Sequence, residues 1–233
     1  MKLFKRLLLL VLILIIAIGG FLGLEGYNRY REAIKSLPLN QAVYNIQNDP
    51  NYVPYEEIDE DFIHALVAIE DHRFFERKGI DIVAIGRALV SNVISKEITQ
   101  GGSTITQQVA KNIYFNNRPS LTRKIAEVFF VWDLEADYTK KEIFAMYANI
   151  IYYGDLYYGI KPASEGYFNK SPSDLTLYEA TVLAGLPQSP SRYQLSNGYE
   201  LINRRQKLVL ESMVEYGYIT EQEMNDVLAQ QPK

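Results

Sequence analysis

Two carboxylates and a run of cations are the residues of this chain best suited to chemistry. Glu70 closes an apolar helical pattern in which Ile63, Val67 and Phe74 lie three to seven residues away. A carboxylate lodged against such neighbours is suited to exchanging protons near neutrality, whereas one left in water at a helix end is the commoner case. Asp71 follows it directly, and its options are to orient a backbone turn or to pair with Arg73. Glu127 lies four residues after Arg123, a spacing that a simple ion pair on one helix face would explain. Yet Lys111, Arg118, Arg123 and Lys124 fall within fourteen residues of one another in an otherwise acidic chain. Such a group suits a diphosphate, whose oxygens take charge-assisted hydrogen bonds, and a solvated basic face is the alternative.

Between the two acids runs Gly101-Gly102-Ser103-Thr104-Ile105-Thr106-Gln107-Gln108-Val109-Ala110-Lys111-Asn112. Two glycines form a tight turn at low steric cost, and Ser103 or Thr104 can cap the helix that follows. In such a helix Ser103, Gln107 and Lys111 are spaced four apart, with Gln108 and Asn112 beside them. A polar stripe with a cation, next to a helix N-terminus that favours anions, reads as a surface for a hydrogen-bonding, negatively charged ligand. A capped and solvated helix would carry the same residues.

The elements that must hold these groups are predicted to be helices. Residues 59–75 show Phe62, Leu66 and Ile69 on one face, with Ile63, Val67 and Phe74 beside it. Further helical patterns cover residues 80–98, the stretch after Gly101, residues 121–135, residues 139–152 with a Thr139/Glu142 capping box and an end at Gly154, and residues 159–168. Ser173 is expected to cap a helix that runs to Ala184 before Pro187 and Pro190. Residues 201–216 and 220–230 complete the set. Alternating strands are scarce and no repeat stands out, so the reading is mainly α in one domain.

Composition narrows the class. The chain has 233 residues, a net charge of −4 and no cysteine, which excludes disulfides, thiolate metal sites and a broadly basic nucleic-acid surface. With only His64 and His72, a His-rich metal site is excluded as well. Residues 7–24 are uncharged and mostly Leu, Ile and Val, and as a helix span roughly 27 Å, close to the thickness of a bilayer core. Lys2, Lys5 and Arg6 precede them and favour a cytoplasmic N-terminus. An uncleaved anchor fits better than a signal peptide, because the apolar run is long and Ala17-Ile18-Gly19 lies inside it. The expected organisation is a cytoplasmic tail (residues 1–6), an anchor (7–24), a stalk interrupted by Pro38 and Pro50 (25–53), and an extracytoplasmic domain (54–233).

Glu70-Asp71-His72-Arg73-Phe74, the Gly101–Asn112 stretch, Arg123-Lys124-Ile125-Ala126-Glu127, residues 140–149 and residues 177–193 resemble, in that order, the five motifs of the peptidoglycan glycosyltransferases, glycosyltransferase family 51. The resemblance covers roughly residues 54–218, and the central motif is highly specific. It implies a lysozyme-like, mainly helical domain with head and jaw lobes, the jaw falling on residues 80–98 and touching the membrane. It implies polymerisation of lipid II into β-1,4-linked glycan strands with release of undecaprenyl diphosphate and inversion at the donor anomeric carbon. By motif position Glu70 resembles the general base and Glu127 the second essential acid. Asp71, Phe74, Ser103, Thr104, Gln107, Gln108, Lys111, Asn112, Arg118, Arg123 and Lys124 map to substrate binding, the cations stabilising the leaving diphosphate. The implied partners are lipid II, the growing strand, the membrane and other cell-wall synthesis proteins, with no nucleic acid. Mg²⁺ is implied as a stimulant, without a dedicated metal cage in the sequence.

The chain departs from the family pattern in three places. Arg77 stands where the first motif usually has His, Ala126 where the third often has Lys, and Ala145 and Ala148 vary the fourth. No Ser-x-x-Lys or Lys-Thr-Gly occurs, so the chain resembles the monofunctional form or a segment of a longer protein. Two other readings carry distinct signatures. A muramidase would not need the cations, and a non-catalytic anchored partner of wall-synthesis complexes would account for Ala126.

Overall fold

The computed structural model describes residues 2–77, 103–115 and 120–232. The expectations for residues 80–98, the Gly101-Gly102 turn and Arg118 lie outside the described residues.

Helix α1 (Lys2–Ser36) begins with the apolar run and does not stop where that run ends. Its Phe4–Ser36 portion is long and apolar enough to cross a membrane, with a mean hydropathy of 3.1 in its most apolar stretch. The expected stalk is therefore folded. Tyr30, Ala33 and Ile34 pack against the core, and only Pro38, which disfavours a helical residue before it, ends the helix. Helix α2 (Leu39–Gln47) then buries Leu39, Ala42 and Val43. No tether separates the apolar run from the domain.

Local capping chemistry places the remaining helices. Asp59 caps α3 (Glu60–Glu70), and Thr104 and Gln107 form a reciprocal box at α4 (Ile105–Tyr114). Ser120 caps α5 (Leu121–Asp137), and the Thr139/Glu142 box opens α6 (Lys140–Ile150) as its spacing predicts. Helix α7 (Ile160–Phe168) follows Gly159, whose φ of +87° is left-handed and whose added Cβ would sit 2.7 Å from the Asn149 carbonyl oxygen. Helix α8 (Leu177–Gly185) starts later than expected, because Thr176 with Glu179 has the box spacing while the Ser173 hydroxyl is spent on Asp174 and Ser171. Helix α9 (Pro190–Tyr193), α10 (Tyr199–Glu215) and α11 (Glu221–Leu228) end the chain. Among the described residues there is no strand, only a bridge between Tyr152 and Tyr158.

Two helix groups meet at a seam. Helices α3, α8 and α10 pack on one another, and α4 packs on α5 and α6. Their shared core holds Phe62, Leu66, Ile105, Phe130, Leu134, Phe144, Leu183 and Val209, all fully buried. The last residue of α3 and the middle of α4 come together at that seam, and α5 runs behind α4.

The upper part of α1 packs along α5. Gly26 makes the crossing possible: a Cβ there would fall 2.5 Å from Ile125 Cγ2 and 3.1 Å from the Thr122 carbonyl oxygen. Arg29 then donates to the Ser120 and Thr122 hydroxyls at the start of α5, and Tyr30 donates to Asp133 further along. Tyr27 and Tyr30 stack against Phe129 between these anchors. A Gly26→Val substitution should pry the two helices apart and cost about 1–3 kcal/mol, as overpacked contacts do. Thermal unfolding in detergent checks this, with a melting point several degrees below wild type as the expected result.

Candidate active site

Glu70 is the last residue of α3, and its carboxylate is held from two sides. The Gln108 side-chain amide nitrogen donates to Oε2 at 2.7 Å, and Arg205 Nη2 lies 3.7 Å from Oε1. Gln108 is itself fixed, because the Tyr147 hydroxyl donates to its amide oxygen at 3.2 Å. Tyr147 is fully buried, and burial pushes its phenol well above the ordinary range, so it keeps its proton. One phenolic proton thus decides which way the Gln108 amide points: oxygen to Tyr147, nitrogen to Glu70.

Asp71 has a different task. Its carboxylate accepts the backbone amide of Ile105, the first residue of α4, at 3.1 Å and forms a two-pronged pair with Arg77. The partner is Arg77 rather than Arg73 of the expected pair. Adjacent acids have thereby split their roles, Glu70 at the seam and Asp71 tying α3 to the start of α4.

Glu127 is the most deeply buried acid of the set, with no exposed surface. Lys124 Nζ lies 2.8 Å from Oε2 and Arg123 Nε 3.0 Å from Oε1, so the i, i+4 spacing is realised as an ion pair. Neither Glu127 oxygen has a hydrogen bond of good alignment, despite these distances. We read the contacts as ionic, since proximity in a buried site is enough for Coulomb attraction while alignment is not. Lys124 also donates to Ser103, which joins the start of α4 to α5. Lys111 completes the group. Burial lowers its ammonium pKa, Glu127 and Glu70 oppose that shift, and Lys124 and Arg123 reinforce it. Helix α4 links the two groups, since Gln108 on it donates to Glu70 and Ser103 at its start accepts from Lys124.

The structure brings together Glu70, Ser103, Gln108, Lys111, Arg123, Lys124 and Glu127. Other anticipated contact residues sit elsewhere. Phe74 is fully buried against Phe75 and Phe144, and Thr104 and Gln107 are buried with their polar atoms spent on capping each other. Asn112 is exposed, one turn beyond Gln108. Ser103 precedes α4 rather than lying on it, so the stripe of four-residue spacing does not form as drawn.

Arg205 and Tyr147 escaped the sequence reading. Ile202, Arg205, Gln206 and Val209 are all buried on one face of α10. An arginine and a glutamine at core-facing positions of an amphipathic helix were the available signal. Gln206 serves packing, donating to the Tyr178 carbonyl and Thr181 hydroxyl of α8. Arg205 reaches Glu70 while its Nε approaches the Gly185 carbonyl at 3.4 Å.

Residues 38–214 match the family described as transglycosylase. A protein of Cupriavidus necator named "putative transglycosylase" is 40% identical over 196 residues that make up 84% of each chain. Penicillin-binding protein 1F of Bacillus subtilis is 35% identical across 95% of this chain and 33% of its own length. Penicillin-binding protein 1A of Neisseria gonorrhoeae is 43% identical across 71% of this chain and 21% of its own. This chain therefore spans a third or less of those penicillin-binding proteins. A crystal structure of penicillin-binding protein 1A from Haemophilus influenzae is 34% identical, covers 40% of this chain and 14% of that one, and has a TM-score of 0.39.

The lowered pKa of Lys111 has a stability consequence with a definite sign. A lysine harder to protonate in the folded than in the unfolded chain costs stability at neutral pH. That cost fades as pH rises towards the ordinary lysine value of about 10.4. Lys111→Met should raise the melting temperature at pH 7, and the gain should shrink as the pH is raised. A variant melting below wild type at pH 7 would show that Lys111 stabilises the fold.

Proposed function

The chain belongs to the transglycosylase family, and we propose that it is a peptidoglycan glycosyltransferase that polymerises lipid II and releases undecaprenyl diphosphate. The observation that carries this reading is the placement of α4: Gln108 on it donates to Glu70, and Ser103 just before it accepts from Lys124, one of the two cations paired with the buried Glu127. Glycosyl transfer from a lipid diphosphate has two demands. A proton must leave the acceptor hydroxyl, and charge must be stabilised on the departing diphosphate.

Glu70 meets the first. As general base it takes the proton of the acceptor 4-hydroxyl while that oxygen attacks the donor anomeric carbon from the face opposite the leaving group, giving the β-1,4 bond with inversion. The C1–O bond electrons depart with undecaprenyl diphosphate. Gln108 and Arg205 fix the carboxylate in place. Lys111, Arg123 and Lys124 meet the second demand, and Glu127 keeps them together before the substrate arrives. The third-motif departure does not empty this group: Ala126 is fully buried, and Arg123 and Lys124 both contact Glu127 without it.

Among the described residues no cluster of three or more His, Asp and Glu occurs, and the Glu127 oxygens already face cations. With α1 as an anchor and Lys5 and Arg6 on its cytoplasmic side, the domain lies outside the membrane, within reach of a lipid-borne substrate.

Incubation of the full chain with lipid II and Mg²⁺ in detergent tests the proposal. A ladder of muramidase-sensitive strands with released undecaprenyl diphosphate is expected, and folded protein that binds lipid II without extending it would contradict the activity. Glu70→Gln should lower turnover by at least 10²-fold, the lower range for a positioned base. Glu127→Gln should lower both turnover and the melting temperature, since the cations lose their buried counter-charge. Wild-type rates for Glu70→Gln would remove Glu70 from the chemistry.

A further inference from the structure

Arg77 is placed to do more than fill a position. Its guanidinium grips both Asp71 oxygens, through Nε and Nη2, and its Nη1 lies 3.5 Å from Glu135 Oε1 on α5. That same Glu135 oxygen accepts from the Thr106 hydroxyl of α4 at 2.8 Å and from Lys140 of α6 at 2.6 Å. Lys140 in turn lies over the Phe74 ring, 4.8 Å from its centre. Every member is largely out of water: the Asp71, Glu135 and Arg77 side chains are 4, 8 and 9% exposed.

Two observations connect this network to the candidate active site. Asp71 is bonded in sequence to Glu70 and, through the Ile105 amide, to the helix that carries Gln108 and Lys111. Glu135 sits on the helix that carries Arg123, Lys124 and Glu127. Among the described residues the two carboxylates of the network face Arg77 and Lys140. Removing the positive charge at residue 77 takes from Asp71 the guanidinium that grips both its oxygens, and loss of a counter-charge is costly to a carboxylate held out of water.

We propose that Arg77 is a positioning residue whose permanent positive charge holds the helix end bearing Glu70 in register with α4 and α5, and that transfer depends on that charge. Arginine suits this better than a titrating group, because it stays charged at every working pH and its planar fork spans a carboxylate with two donors. The effect on turnover rests on the transferase reading, but the effect on register does not.

The discriminating variant is Arg77→His. A protonated imidazole between Asp71, Glu135 and Lys140 supplies the charge, and a neutral one does not. Its turnover relative to wild type should fall about tenfold between pH 6 and pH 9, in kcat with little change in KM. Arg77→Gln should be low throughout, and Arg77→Lys should recover part of the rate at all pH values. A ratio for Arg77→His that is flat with pH, or wild-type kcat in Arg77→Gln, would overturn the proposal. Hydrogen exchange of residues 103–115 gives an answer independent of activity. The first turn of α4 should lose protection in Arg77→Gln at every pH, and in Arg77→His only at high pH. Unchanged protection in both variants would sink the inference even if the enzyme proves active. Loss of protection in Arg77→Gln, with a wild-type protein that does not polymerise lipid II, would support the register and fault the functional reading alone.

Discussion

Keeping ionised side chains out of water is costly, since each gives up a hydration shell that only a counter-charge and well-placed dipoles can replace. This domain buries Glu127, Asp71, Arg123 and Arg205 almost completely and Arg77 and Glu135 nearly so. Each faces opposite charge: Asp71 meets Arg77 within the turn that follows α3, and the others meet theirs across elements or on another turn of the same helix. The consequence is directional. Apolar packing would tolerate small slides between α3, α4 and α5, whereas a buried ion pair tolerates few, because separation leaves a bare charge. The seam where Glu70 meets Gln108 is set by these pairs more than by the core beneath it.

The arrangement also divides acids by neighbourhood. Glu70 receives an amide donor and a guanidinium at 3.7 Å, leaving a carboxylate aimed into the seam. Glu127 receives two cations at ion-pair distance and is closed off from solvent. A base must meet its substrate and a counter-charge need not, which accords with the roles proposed for the two acids. The anchor enters the same scheme. Helix α1 reaches α5 through Gly26 and Arg29, and Arg29 touches the turn immediately before Arg123 and Lys124. The apolar stretch of α1 thus leads directly into a contact with the end of α5 that carries the cation cluster.

Much of this was legible in the sequence because it follows from local rules. The Thr139/Glu142 box and the Arg123/Glu127 pair depend on spacing alone and stand as expected, while α3 keeps its apolar face over Phe62, Ile63, Leu66 and Val67 but ends at Glu70, short of the expected residue 75, with Phe74 in the turn beyond it. Residues whose meaning depends on distant partners were harder. Arg205 reads as an ordinary helix cation until α10 lands beside Glu70, and Asp71, which the sequence leaves between orienting a backbone turn and pairing with Arg73, takes the Ile105 amide and Arg77 instead. The stalk reading failed for a related reason. Its prolines mark Pro38 correctly, but the aromatic face of residues 27–34 has meaning only once α5 exists to receive it.

The central claim is that proton removal belongs to Glu70 and diphosphate binding to the cations around Glu127. Equilibrium binding of lipid II, compared among Glu70→Gln, Lys124→Met and wild-type protein under conditions that block turnover, separates the two directly. Glu70→Gln should bind within about threefold of wild type, while Lys124→Met should bind about tenfold or more weakly, the scale of one charge-assisted contact. Binding lost in Glu70→Gln but intact in Lys124→Met would contradict the division of labour and reverse the roles of the two groups.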